Sequence, residues 1–174
     1  MVERTTTVAL SGTDFPANLS PEAVVAGLRG PGALKPNALL VAHTDGDTIR
    51  VRLNDSTEEK VRLIGVDTPE TKRPGSPIQC YGPQASHFVK LLIPVGTPLA
   101  LELDVEERDR YGRLLAYVRR ASDGLFINEQ LASNGYAMLL TYPPNVAYTD
   151  TFREAVMRAR DANLGLWAAC DDIS

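Results

Sequence analysis

Apolar and polar positions alternate sharply after residue 38. "ALLVAHT" (38–44) is largely apolar, and "DTIRVRL" (47–53) sets Ile49, Val51 and Leu53 against Thr48, Arg50 and Arg52. A period of two places one face of a strand in a core and the other in water. "KVRLIGV" (60–66), "LALELDVE" (99–106) and "LLAYVRR" (114–120) predict three more strands, and Leu99, Leu101, Leu103 and Val105 should face inward in the fourth. "NDSTEE" (54–59) is a polar hairpin connection. The spacing predicts helices over 83–93, 126–135 and 149–165. Pro83 fits a first turn, and Gly135 and Gly165 stand where helices end. Phe152, Ala155, Val156 and Ala159 share one helical face.

Three strands, a helix, two strands and two helices make an α+β fold, mainly β-barrel. Five short antiparallel strands with a helix between the third and fourth suggest a closed barrel of the OB type. "SPEAVVAGLRGPG" predicts a short helix capped by Ser20 and ended by Gly30, followed by Pro- and Gly-rich chain. Residues 1–37 therefore read as an N-terminal appendage and linker, 38–170 as the main domain and 171–174 as a tail. No internal repeat is present.

Composition adds limits. The chain has 174 residues, 44% hydrophobic and 23% charged, which is ordinary for a globular domain with its own core. No apolar run approaches the roughly 20 residues of a bilayer span, so no membrane partner is expected. Residues 1–36 do not read as a signal peptide, which implies a cytosolic chain or a mature form whose leader is absent. Net charge is −4, yet Lys60–Arg120 carries ten Lys/Arg against seven Asp/Glu. A local basic cleft on an acidic protein is physically reasonable, because fields act within about a Debye length of 10 Å. His43 and His87 form no metal cluster with Cys80 and Cys170. The two cysteines are either one disulfide or two unlinked, partly buried thiols.

Candidate chemistry concentrates in two acidic segments. "TDGDT" (44–48) places Asp45 and Asp47 at a turn allowed by Gly46, and "RLIGVDTPET" (62–71) delivers Asp67 and Glu70 where the third strand ends. Carboxylates gathered at one spot need a cation between them. An all-oxygen set suits Ca²⁺ first and Mg²⁺ or Mn²⁺ next, and the Thr68 carbonyl offers another oxygen. The structural alternatives are a plain Asp-Gly turn and an acid-capped helix start. Arg62 leads the same strand, and "DRYGR" (109–113) offers Arg110 and Arg113. Guanidinium groups bind phosphate oxygens through paired hydrogen bonds. Alternatively, Arg62 makes a salt bridge inside the acid cluster and Arg113 is an exposed turn residue.

"DGDT", "RLIGVDTPET", "YGPQAS", "DRYGRLLAYV" and "LGLW" together resemble the thermonuclease family, typified by staphylococcal nuclease. The resemblance runs from about Leu39 to Trp167. It implies a five-stranded OB barrel with three helices that hydrolyses DNA and RNA with Ca²⁺, cutting between phosphorus and the 5′ oxygen to leave 3′-phosphate ends. Carried onto this chain, Asp47 and Asp67 ligate the metal by carboxylate and Thr68 by its carbonyl, with Asp45 further out. Glu70 matches the proposed general base, and Arg62 and Arg113 match the phosphate clamps. Tyr111 and Tyr142 match nucleotide-contacting tyrosines. Arg110 stands where the family has lysine, and Leu140 replaces another tyrosine of that pocket. "KRPGSPIQC" keeps the family's loop length but carries Gly75, Ser76 and Pro77 where the type member is lysine-rich. Trp167 is expected in the core, and the chain is expected to be a monomer. The rival functions are a binding module of the same fold that has lost catalysis, and a protein-interaction domain docking through residues 1–37.

Overall fold

The computed structural model describes residues 19–72, 74–171 and 173. Residues 1–18 of the expected appendage lie outside the described residues, as do Arg73 and two residues of the tail. Five strands close into a barrel: β1 (Ala38–His43), β2 (Thr48–Leu53), β3 (Glu58–Leu63), β5 (Pro98–Glu102) and β6 (Leu114–Arg120), in the order β1-β2-β3-β6-β5. This is the OB arrangement that the strand count predicts. Two short strands, β4 (Val66–Asp67) and β7 (Met138–Leu139), pair outside the barrel. The helices are α1 (Pro21–Gly27), α2 (Gly82–Leu92), α3 (Ile127–Ser133), α4 (Thr149–Asp161) and a short α5 (Leu166–Ala169).

The expectation of five antiparallel strands needs correction. Neighbours in a closed ring of five cannot all run antiparallel, because five is odd. The parallel seam falls between β3 and β6, with Val61 opposite Leu114 and Leu63 opposite Ala116. Buried Asn128 at the start of α3 ties that seam. Its Oδ1 accepts from Val118 N at 2.9 Å, and its Nδ2 donates to the Ile64 carbonyl at 2.9 Å. Ile49, Val51, Val61, Leu99 and Val118 fill the barrel, as expected where the interior is just wide enough for side chains. Phe152, Ala155 and Ala159 of α4 are buried, and Val156 packs against the core.

Two inward residues of the fourth predicted strand prove to face out. β5 ends at Glu102, and Leu103 and Val105 are exposed, Val105 by 73%. Asp104 causes the departure: its carboxylate accepts from Tyr117 OH at 2.7 Å and from the amides of Val105 and Ala147. The backbone follows those hydrogen bonds rather than the alternation. Residues 60–66 likewise do not form one strand. Gly65, at φ +84°, reverses the chain between β3 and β4. Trp167, expected in the core, is instead half-buried outside it, with the Arg160 guanidinium 5.6 Å from its ring centroid. Gly165 opens α5 rather than closing α4.

Residues 19–37 lie along the domain. Ser20 caps α1 by accepting from Ala23 N, and Val24, Val25 and Leu28 pack on the core. The following chain is tied down by Gly32 N to the Asp123 carbonyl (2.7 Å), Leu34 N to the Ala121 carbonyl (2.8 Å) and Asn37 against Leu101.

Candidate active site

The turn before β2 is narrow because Thr44 N and Asp45 N both donate to the Thr48 carbonyl. Gly46 is required there by close approach: a Cβ would lie 2.7 Å from Thr68 Oγ1. That approach brings the turn against the segment after β4. Asp47 Oδ2 accepts from Thr68 N (2.9 Å) and Thr68 Oγ1 (3.1 Å), and Oδ1 accepts from Thr48 Oγ1. The Asp47 carbonyl takes Leu63 N, which fixes the turn to the end of β3.

Arg62 stands at the centre, buried to 9% exposure. Its Nη1 donates to the carbonyls of Leu63 and Val66, closing the reversal at Gly65. Its Nη2 meets Asp67 Oδ1 at 2.8 Å and Asp47 Oδ2 at 3.2 Å. The structure thus shows Arg62 in the salt bridge within the acid cluster. The same distances bring the two carboxylates within about 6 Å of each other. Burial pushes the Asp67 carboxyl above its ordinary range. Arg62 pulls it back and Asp47 pushes it further up. Asp45 is also raised, by burial first and then by the neighbouring Glu70 carboxylate; Thr71 Oγ1 donates to Asp45 at 2.9 Å.

Among the described residues no group of three His, Cys, Asp or Glu side chains is arranged to hold a metal ion. Asp47 and Asp67 nevertheless offer all-oxygen donors beside the Thr68 peptide, and the Asp67 side chain is about half exposed to the cleft although Arg62 pairs with it. Two carboxylates, one carbonyl and waters suit a hard divalent cation, so the residues fit.

All nine residues proposed from sequence as ligands, base, phosphate clamps and nucleotide contacts, and Asp45 with them, border one cleft of about 920 Å³. Glu70 Oε1 accepts the amides of Thr71 and Lys72 at 3.0 and 2.9 Å. Arg113 Nε donates to Asp109 Oδ2 at 2.6 Å and its guanidinium lies 5.5 Å from the Tyr111 ring centroid; among the described residues its Nη atoms have no hydrogen-bond partner. Arg110 Nη2 donates to Tyr111 OH at 2.6 Å and lies over that ring. Tyr142 and Leu140 are exposed on the same cleft.

Sequence reasoning missed several residues that position these groups. Asp109 orients Arg113, a signal present in the Asx-turn spacing of "DRYGR". Buried Asn145 exchanges hydrogen bonds with the Glu106 backbone and donates its own amide to the Tyr142 carbonyl, fixing the loop that carries Tyr142. Lys60 borders the cleft too. Cys80 and Cys170 lie elsewhere and form a disulfide.

The chain is similar to known proteins. The family described as staphylococcal nuclease homologue matches residues 60–169. The thermonuclease of Staphylococcus intermedius is 45% identical over 123 residues, covering 71% of each chain. The thermonuclease of Staphylococcus hyicus is 41% identical over 124 residues, again 71% of each. Endonuclease YncB of Bacillus subtilis (strain 168) is 43% identical over 134 residues, 76% of this chain and 62% of that one.

Proposed function

The chain belongs to the family of staphylococcal nuclease homologues, and from that premise we propose that it is a Ca²⁺-dependent phosphodiesterase. It hydrolyses DNA and RNA at the P–O5′ bond and leaves 3′-phosphate ends. One observation carries the reading: the acids at the ends of two strands and the arginine of the 109–113 turn face one cleft. The catalytic unit is residues 38–170, with 19–37 strapped along it.

Asp47, Asp67 and the Thr68 carbonyl would hold the cation. When bound, it neutralises charge on the phosphate and eases deprotonation of a water. The chain's own groups do the rest. Glu70 takes a proton from the attacking water as its oxygen adds to phosphorus. Arg62 and Arg113 donate to the phosphate oxygens as negative charge grows on them, the effect that is usually the largest catalytic term. Arg62 is desolvated and its Nη1 is fixed by two carbonyls, so it reaches the phosphate by exchanging the Nη2 contacts with Asp67 and Asp47 for phosphate oxygens. The P–O5′ bond breaks and the 5′ oxygen takes up a proton, a role assigned to Arg113 on the cleft wall. Arg110, Tyr111 and Tyr142 bind the flanking phosphate and nucleotide by charge and stacking. Mg²⁺ or Mn²⁺ would fit the same donors less well. Among the described residues no helix is long and apolar enough to cross a membrane. The disulfide supports an oxidising compartment over the cytosol.

The test is digestion of plasmid DNA and RNA with Ca²⁺, with and without chelator, beside Glu70→Ala and Arg113→Ala. Chelator-sensitive cleavage that drops about 10²–10⁴-fold in the variants is expected. A mobility shift without cleavage, or no interaction at all, overturns the reading.

A further inference from the structure

Glu70 stands just before an exposed stretch of chain. Residues 74–80 are exposed, Ile78 by 64%. Behind Pro69 lies a second, smaller cavity of about 290 Å³, bordered by Gln79, Met138, Leu166 and the disulfide. Close packing therefore does not hold the Glu70 segment from that side.

Two connections take its place. Gln79 Oε1 accepts from Glu70 N at 2.7 Å, and Gln79 N donates to the Glu70 carbonyl at 2.9 Å. The next residue, Cys80, is bonded to Cys170, 90 positions along the chain. Cys170 follows α5, which is seated firmly: Leu166 N donates to the Gly135 carbonyl, and a Cβ on Gly165 would lie 2.2 Å from that same oxygen. On the far side Gly82 presses against the backbone, where a Cβ would come within 3.1 Å of the Pro69 and Glu70 carbonyls. The Glu70 peptide is thus clamped between the α2 start and a glutamine tethered covalently to the C-terminal helix.

We propose that Gln79 is the positioning residue for Glu70 and that the Cys80–Cys170 disulfide holds Gln79 in place, making turnover sensitive to thiol reductants. This rests on the nuclease reading above, in which Glu70 takes the proton from water. A dithiol supplies two electrons and two protons, opening the bridge to two thiols while itself closing to a cyclic disulfide; exposed Cys80 admits the reagent. Misplacing a reacting group by about 1 Å costs on the order of 10²-fold in rate. Arg110, Tyr111 and Tyr142 do not depend on this clamp, so the loss falls on kcat and not on KM.

Steady-state kinetics on single-stranded DNA with Ca²⁺ would compare the wild type, Gln79→Leu, Gln79→Glu and a Cys80→Ser/Cys170→Ser double variant, each with and without dithiothreitol. Hydrogen exchange at the Glu70 amide, in metal-free protein, gives a second readout. Gln79→Leu should lose about 10- to 100-fold in kcat with KM within about 3-fold. Gln79→Glu keeps the acceptor oxygen and should stay within a few-fold of the wild type. The Glu70 amide should exchange faster in Gln79→Leu and in reduced wild type, and the cysteine variant should match reduced wild type and ignore dithiothreitol. A Gln79→Leu variant with wild-type kcat and protection overturns the proposal, as does equal loss in both Gln79 variants in step with Tm. Reduced wild type with full kcat overturns the part given to the disulfide. A wild type that leaves DNA intact overturns the nuclease reading and this role with it, whereas cleavage by wild type with an equal kcat in Gln79→Leu sinks this role alone.

Discussion

Asp109 Oδ2 accepts from Arg113 Nε at 2.6 Å, while its Oδ1 takes the backbone amides of Tyr111 and Arg113. One acid thus shapes the turn and aims the guanidinium. Burial works against the Asp109 anion, but the Arg113 side chain and backbone outweigh it and hold the carboxyl below its ordinary value. Asp109→Asn keeps an acceptor for the amides and sets an NH₂ against Nε. The expected result is a loss of about 10- to 100-fold in kcat. Because both residues act through one group, Arg113→Ala should cost much less in the Asp109→Asn background than in the wild type. Full additivity in that double-mutant cycle would show that Asp109 does not orient Arg113.

Asp47 and Asp67 share one guanidinium within about 6 Å of each other. A bound cation should relieve their repulsion and stabilise the fold. At Ca²⁺ near 100 times its Kd, linkage gives about 2.7 kcal/mol, or roughly 5–10 °C in Tm for a chain of this size. Thermal melts with Ca²⁺, then with chelator, check it without any substrate. Asp67→Asn should abolish the shift. An equal shift in that variant would place the ion elsewhere.

How much of this was legible in the sequence depended on distance along the chain. The alternation in 47–53 and the α4 face were local signals, and local packing honoured them. The acids and arginines were readable as a group because few other roles suit those types at strand ends. The parallel seam was also implicit, since an odd ring demands one, but its place required knowing which strands meet. Leu103 and Val105 misled because Asp104 takes its partners from Tyr117 and Ala147, distant in sequence. Asn128, Asn145 and Gln79 carried no pattern at all. Their importance comes from backbone groups brought to them by the fold.

Asn128 gives a stability test of that point. It satisfies the Val118 amide and the Ile64 carbonyl at the parallel seam, where the barrel closes. Asn128→Leu leaves both buried, and each orphaned group costs about 1–3 kcal/mol. Urea unfolding should show a loss of roughly 2–5 kcal/mol, with the midpoint falling and the slope unchanged. A loss under about 1 kcal/mol would mean that water or a shifted strand replaces the amide.

Asp123 tests whether residues 19–37 belong to the folded unit. Its carboxylate pairs with Arg120 Nη2 at 2.6 Å and accepts Gly30 N and Leu125 N, while its carbonyl takes Gly32 N. The Arg120 hydrogen bond, outweighing burial, holds its pKa down at about 2. The unfolded value is near 3.9, so the folded state favours the anion. Its contribution is complete above about pH 4 and disappears as pH falls through about 2. A shift of this size corresponds to about 2.6 kcal/mol, or roughly 5–10 °C in Tm. Asp123→Asn should therefore melt below the wild type by that margin at pH 7, and the two curves should converge on approaching pH 2. Comparing the two proteins at each pH cancels the other carboxylates. A constant gap across the range would show that the charge on Asp123 does not fasten the strap, whatever its hydrogen bonds contribute.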